Sequence, residues 1–227
     1  MLRYLPFLLI GLYLAAMWFF SAWRLKQELH RNSTPLTHPR LTPMLERLGR
    51  AMDLPPVRAH VYEVAQVNGL AAPDGRIFLT RGFLDKLDQG QVDEAELASV
   101  IAHELGHVAH GHARRRMVDF AGQNAIRMVL GTMLNRFVPG LGGWVANLVT
   151  VAIIARLSRE DEYEADAFAS ALMIKAGLGT GPQKSLFRKL DALAGGRASL
   201  PAWQMSHPPT PRRIAAIEKL EEKWRSL

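Results

Sequence analysis

The stretch that most constrains this chain is His103-Glu104-Leu105-Gly106-His107. Positions i and i+4 of an α-helix share a face, so His103 and His107 can ligate one metal ion together. Glu104, one residue along, reaches the rim of the same site. The surrounding segment is apolar on nearly every side, through Leu97, Ala98, Val100, Ile101, Ala102, Leu105, Val108 and Ala109. A helix of that kind belongs at the centre of a core. Two imidazoles and a carboxylate buried there are costly unless a metal or other partners satisfy them. The fold must therefore wrap a polar centre. Asp93, with Glu96 three residues later, predicts a capping box that fixes where this helix begins.

A catalytic zinc takes three protein ligands and keeps one position open. The chain has no cysteine, which excludes thiolate ligands, disulfides and a cysteine nucleophile. The metzincin pattern needs a glycine and then a third histidine three and six residues past the second motif histidine; here those positions hold His110 and Ala113. What remains is a carboxylate from a later helix, the gluzincin arrangement. The acidic cluster Glu160, Asp161, Glu162, Glu164 and Asp166, on a helix predicted over Ser158 to Lys175, is the source. Glu162 with Asp166 and Glu160 with Glu164 are both i, i+4 pairs. In either pair one acid can ligate while the other holds a ligand histidine by a hydrogen bond. Spacing does not choose between them. The chemistry expected is peptide-bond hydrolysis with one Zn²⁺ per chain: Glu104 takes a proton from the activated water and delivers it to the leaving amine.

The N-terminus adds a second constraint. Tyr4 to Trp23 is a run of 20 residues without a charge. About 20 apolar residues suffice for a helix to cross the bilayer core. Tyr4, Trp18 and Trp23 sit towards its two ends, where amphipathic rings favour the interface. Phe19-Phe20-Ser21-Ala22-Trp23 lacks the small-x-small pattern of a signal-peptidase site, so the run is read as an uncleaved anchor. Arg24, Lys26 and Arg31 follow the span and Arg3 precedes it, a bias too small to assign the membrane face of a large domain. The formal net charge of +7 comes with no nucleic-acid motif and suits a surface near anionic lipid; no nucleic-acid partner is expected.

The expected organisation is a membrane anchor and juxtamembrane helix over 1–31, a linker over 32–40 and a catalytic domain over 41–227. Thr42-Pro43 predicts an N-cap with proline at the first helical position. Val57 to Val67 and Arg76 to Thr80 read as two strands paired antiparallel across the Pro73-Asp74-Gly75 turn signal. Arg114-Arg115-Arg116 reads as a solvated basic patch, and the uncharged stretch within Leu141–Leu157 as a buried or membrane-surface helix. Ser206 to Pro211 reads as a stiff turn before a last helix with Ile214, Ile217 and Leu220 inside.

Three segments, HELGHVAHGH, SREDEYEADAFA and SHPPTPRRI, occur in that order. Together they make the region from about Val57 to Trp224 resemble the zinc metallopeptidase family of the HtpX membrane protease and the CAAX prenyl protease. The resemblance implies that His103, His107 and Glu162 are the zinc ligands and Asp166 the supporting acid of an ExxxD pattern. It also implies that His207 lies near the metal, where it stabilises the transition state or fills the open position. Asn68 is similar to the asparagine of the family's Asn-Ala segment on the strand edge facing substrate, although the next residue here is Gly69. The fold implied is α+β, mostly α, a zincin-like (gluzincin) domain with a small antiparallel sheet and an N-terminal transmembrane helix. The function implied is a membrane-anchored zinc endopeptidase acting on polypeptides in protein quality control, single-pass in the bacterial inner membrane. The alternative from another class is a non-catalytic, zinc-containing, membrane-anchored chaperone or adaptor.

Overall fold

The computed structural model describes residues 5–72, 74–112, 142–194 and 210–226, with some helical side chains, all of 142–158 among them, outside the description. His207, the basic run at Arg114–Arg116 and most of the Ser206–Pro211 turn lie outside the described residues. The chain divides into two compact units, one of Met1–Arg31 with Gly111–Arg159, the other of Asn32–His110 with Glu160–Leu227.

In the first unit, α1 runs from Leu5 to Arg31 as one helix. It exposes Leu9, Leu12, Tyr13, Phe19, Phe20 and Trp23, each more than half accessible. Among the described residues, no helix is long and apolar enough to cross a membrane.

The second unit holds a four-stranded sheet in the order β1 (Ser33–Pro35), β2 (Ala59–Tyr62), β4 (Ile77–Thr80), β3 (Gly69–Ala71). The sheet is mixed, not antiparallel as the sequence led us to expect. β2 and β4 run parallel, with Ala59 opposite Ile77 and Tyr62 opposite Thr80. The antiparallel partner of β4 is β3, in register Gly69 to Leu79 and Ala71 to Ile77. The turn signal was in the right place, but the strand entering it is only three residues long and begins at Gly69. Ala72 and Arg76 close this hairpin by a backbone hydrogen bond of 2.8 Å, with Gly75 at φ +86°. Of the two inner strands, β4 is buried along its whole length, whereas β2 alternates between buried and half-buried residues. The stretch expected to be a linker supplies β1, which pairs antiparallel with β2, and Leu36 enters the core.

Helices cover this sheet. α2 (Thr42–Ala51) starts at the residue expected to cap it, so the N-cap is Leu41, one residue earlier, and Thr42 Oγ1 donates to the His38 carbonyl. α3 is Arg81–Asp88, and α4, the HELGH helix, is Glu94–Ala109. Its capping box is formed: Asp93 Oδ1 accepts from the Glu96 amide at 2.7 Å and Glu96 Oε2 from the Asp93 amide at 2.9 Å. Ser185 and Lys189 of α6 (Gly181–Ala194) also bind Glu96, at 2.7 Å each, so the cap ties two helices together. α5 is a single helix, Gly142–Lys175, where two segments were expected, and the unit boundary falls within it. The last helix, α7, is Thr210–Arg225. Leu79, Phe83, Leu97, Ile101, Met173 and Leu186 belong to one core cluster that includes α4.

Candidate active site

α4 is buried from Glu96 to Glu104 and again at Gly106 and His107, as its apolar circumference required. His103 and His107 turn Nε2 atoms towards each other at 3.1 Å. From α5, Glu162 brings one carboxylate oxygen to 3.3 Å from His103 Nε2 and the other to 3.4 Å from His107 Nε2. Burial separates the two pairs. Glu162 and Asp166 are each 1% exposed, whereas Glu160 and Glu164 face solvent.

α5 comes this close because residue 106 is glycine. A β-carbon there would lie 2.9 Å from Ala165 Cα and 3.0 Å from its carbonyl oxygen. Backbone does not yield as a side-chain tip would, so the glycine of HELGH sets the separation of the two helices that carry the donors.

The two imidazole nitrogens are 3.1 Å apart, and each has its own oxygen of Glu162 beside it, at 3.3 Å for His103 and 3.4 Å for His107, so the three side chains converge on one point. Tetrahedral zinc with bonds of about 2.0–2.1 Å has donor-to-donor edges of about 3.3 Å. Two imidazoles and one carboxylate, all buried, are also a zinc donor set by chemistry. The residues present therefore fit the ion.

Asp166 stands behind His103, with Oδ1 3.0 Å from Nδ1. Accepting the Nδ1 proton leaves the Nε2 lone pair of the neutral ring aimed at that point. Arg213 of α7 closes the arrangement: Nε donates to Asp166 Oδ2 at 2.6 Å and Nη2 to Oδ1 at 2.7 Å. Arg213 Nη2 lies 3.4 Å from His103 Nδ1 because both nitrogens share one acceptor oxygen. Burial by itself would push His103 down, but hydrogen bonds to Asp166 and Glu162 outweigh it and hold the imidazole up at about 9. Burial would push Asp166 up; the charge of Arg213 and its hydrogen bonds win, lowering the carboxyl to about 2.

Glu104 is 2% exposed and lies under the start of β3. A β-carbon on Gly69 would stand 2.7 Å from Val100 Cγ1 and 3.2 Å from Glu104 Oε1, so this edge strand passes directly over the motif helix. Asn68 immediately precedes it, its backbone anchored to Thr80 through a 2.9 Å bond in each direction with Oγ1. The donors His103, His107 and Glu162, with Glu104 and Asp166, are thus gathered in one unit; His207 lies outside the described residues. Arg213 escaped the sequence reading. The signal was present: Arg213, Ile217 and Leu220 share one helical stripe, and a basic residue on an inward stripe demands a buried anion.

Comparison with known proteins agrees with this geometry. The profile of Peptidase family M48 matches residues 35–221. The Metalloprotease YcaL of Escherichia coli (strain K12) is 32% identical over 182 residues, 78% of this chain and 67% of that protein. The Metalloprotease LoiP of the same organism is 30% identical over 167 residues, 70% of this chain and 62% of its own length. A Protease HtpX homolog of Salinibacter ruber is 28% identical over 244 aligned positions, 93% of this chain and 85% of that protein. The chain thus spans roughly two thirds of the two Escherichia coli relatives. With a matching profile over most of its length and a buried donor cluster that fits zinc, the chain belongs to Peptidase family M48 and is a zinc metalloendopeptidase.

Proposed function

We propose that this chain is a membrane-anchored endopeptidase in which His103, His107 and Glu162 hold the zinc ion and Glu104 is the general base. The observation that carries the reading is the convergence of His103, His107 and Glu162, with nitrogen–nitrogen and nitrogen–oxygen separations of 3.1–3.4 Å, beside the buried Glu104 of the histidines' own helix. When bound, zinc supplies Lewis acidity, which activates water and polarises the scissile carbonyl. Glu104 accepts the water's proton and passes it to the leaving nitrogen as the peptide C–N bond breaks. Asp166 keeps the His103 ring in one tautomer and orientation. His207 binds the developing oxyanion, in keeping with the family resemblance of its segment.

β3 is the sheet edge beside Glu104, so an extended polypeptide adding to it would lie along the catalytic helix. Recognition through backbone hydrogen bonds, with Asn68 at the start of the edge, gives cleavage with loose sequence preference. That suits removal of unfolded or membrane-associated polypeptides. The 20 uncharged residues from Tyr4 to Trp23 and the exposed Leu, Phe and Trp side chains of α1 favour an anchor in the bacterial inner membrane.

The test is cleavage of casein by the purified full chain. Activity should vanish with chelator and return with zinc, and Glu104→Gln should lack it while still binding zinc. Cleavage by Glu104→Gln at the wild-type rate would remove the mechanism, and a zinc-bound wild type inert towards unfolded proteins would favour the chaperone or adaptor reading. Carbonate extraction and protease accessibility in spheroplasts test the anchor and the face of the domain.

A further inference from the structure

Asp166 is the meeting point of four helices. From α7, Arg213 grips its two oxygens with parallel bonds of 2.6 and 2.7 Å. From α4, His103 Nδ1 approaches Oδ1 at 3.0 Å. From α6, Gln183 Nε2 lies 3.4 Å from both Oδ1 and the Asp166 carbonyl, and its own Oε1 accepts from Ser170 Oγ of α5 at 2.8 Å. The guanidinium plane rests on the Phe187 ring, 4.3 Å from its centroid, and Nη1 points towards Glu162 Oε2 at 3.6 Å. Asp166, Gln183, Ser170 and Arg213 are all 2% exposed or less.

Arg213 is thus engaged on its fork, its face and its remaining nitrogen, which leaves no surface for substrate. It acts through Asp166. A fully buried arginine is sustained only by a well-formed anion partner, and the planar bidentate fork is something lysine does not reproduce. The formal charges point the same way. Glu104, Glu162 and Asp166 carry three negative charges and Arg213 one positive, leaving two for a divalent cation to neutralise.

We propose that Arg213 and Gln183 form a clamp on Asp166 that fixes the His103 ring for metal binding and couples the last helix of the fold to the metal site. The proposal rests on the reading of His103 as a ligand. Its sign separates it from simple electrostatics. Removing a positive charge beside a cation site would by itself tighten zinc; loss of the clamp loosens it, because Asp166 no longer holds His103 in place. Loss of such an outer partner weakens metal affinity by about 10- to 100-fold.

The test measures zinc affinity of the full chain in detergent, by competition with a chromophoric chelator, together with the visible absorption of the cobalt(II)-substituted protein. Arg213→Lys, which keeps the charge but not the fork, should weaken zinc by about 10-fold or more and alter the cobalt spectrum. Arg213→Met leaves Asp166 buried without its cation, a strongly destabilising change, so the neutral pair Asp166→Asn/Arg213→Met serves beside it. That double variant should lose no more affinity than Asp166→Asn alone, since both changes break one unit. Wild-type affinity in Arg213→Lys and in the double variant would overturn the clamp, as would tighter binding in any Arg213 variant or fully additive losses. His103→Ala is the separate control: unchanged zinc affinity there would remove the ligand reading itself, whereas its loss beside intact binding in the Arg213 variants would remove only the clamp.

Discussion

Gly106 and Ala165 meet backbone to backbone: a β-carbon on Gly106 would stand 2.9 Å from Ala165 Cα. Three residues before Ala165 on the same helix is Glu162, so the contact sets how far the carboxylate reaches towards His103 and His107. Gly106→Ala should force α5 outward, at a cost of roughly 1–3 kcal/mol for overpacking against backbone. The larger effect is expected on the metal, because the donor cluster opens. Isothermal titration with zinc, alongside thermal unfolding, checks this; a Gly106→Ala protein with wild-type affinity would show that Glu162 reaches the site independently of the helix spacing.

The acidic cluster gives a second prediction. Glu162→Ala removes a buried donor and should strip zinc on dialysis, with activity lost in proportion. Glu160→Ala and Glu164→Ala alter exposed side chains and should shift stability by about 0.5 kcal/mol or less. Metal content by atomic emission after equal dialysis distinguishes them. Retention of zinc by Glu162→Ala and its loss from Glu164→Ala would reassign the third ligand.

These two cases show what the sequence could and could not reveal. The HELGH helix and its cap were legible because both are local: a fixed i, i+4 spacing, an apolar circumference and an Asp93–Glu96 pair within one turn. The sheet order was not. Strand pairing joins residues far apart in sequence, and β3 has only Gly69, Leu70 and Ala71 to announce it, so Ile77–Thr80 was paired with its true neighbour β2 in the wrong direction and its antiparallel partner was missed. Glu162 and Glu164 have the same chemistry two residues apart; only the packing of α5 against α4 separates them. Arg213 lay unread inside the SHPPTPRRI segment because its role depends on Asp166, which is 47 residues away.

Gly69 supplies a third prediction. Alanine at this position would bring a methyl 2.7 Å from Val100 Cγ1 and 3.2 Å from Glu104 Oε1. Gly69→Ala should displace Glu104, the proposed general base, and lower kcat several-fold while zinc stays bound, since neither histidine is touched. Val100→Ala removes the nearer of the two obstacles, so Gly69→Ala/Val100→Ala should recover part of the loss. Steady-state kinetics on a quenched casein substrate, with metal content measured in parallel, separates an effect on Glu104 from an effect on zinc. Equal activity in wild type and Gly69→Ala would mean that β3 gives way before Glu104 does.

The two shifted groups beside the donor cluster predict opposite pH behaviour for protein with and without zinc. With zinc chelated, His103 has its pKa raised from 6.5 to about 9, with Asp166 and Glu162 holding the imidazolium against the penalty of burial. A raised pKa stabilises the fold fully below 6.5 and progressively less as pH climbs towards 9. Asp166 is lowered from 3.8 to about 2, so its contribution is complete above 3.8 and is lost as pH falls towards 2. Chelated protein should therefore be most stable between these limits and weaken through the alkaline range. Zinc requires the Nε2 lone pair of His103 and must displace that proton, so its affinity should rise with pH up to about 9 and loading should release a proton below it. The gap in unfolding temperature between loaded and chelated protein should accordingly widen from pH 6.5 to 9. Calorimetric titrations at pH 7 in buffers of different ionisation enthalpy count the proton directly. No proton released would place the imidazolium elsewhere and remove His103 as the residue that couples zinc to pH.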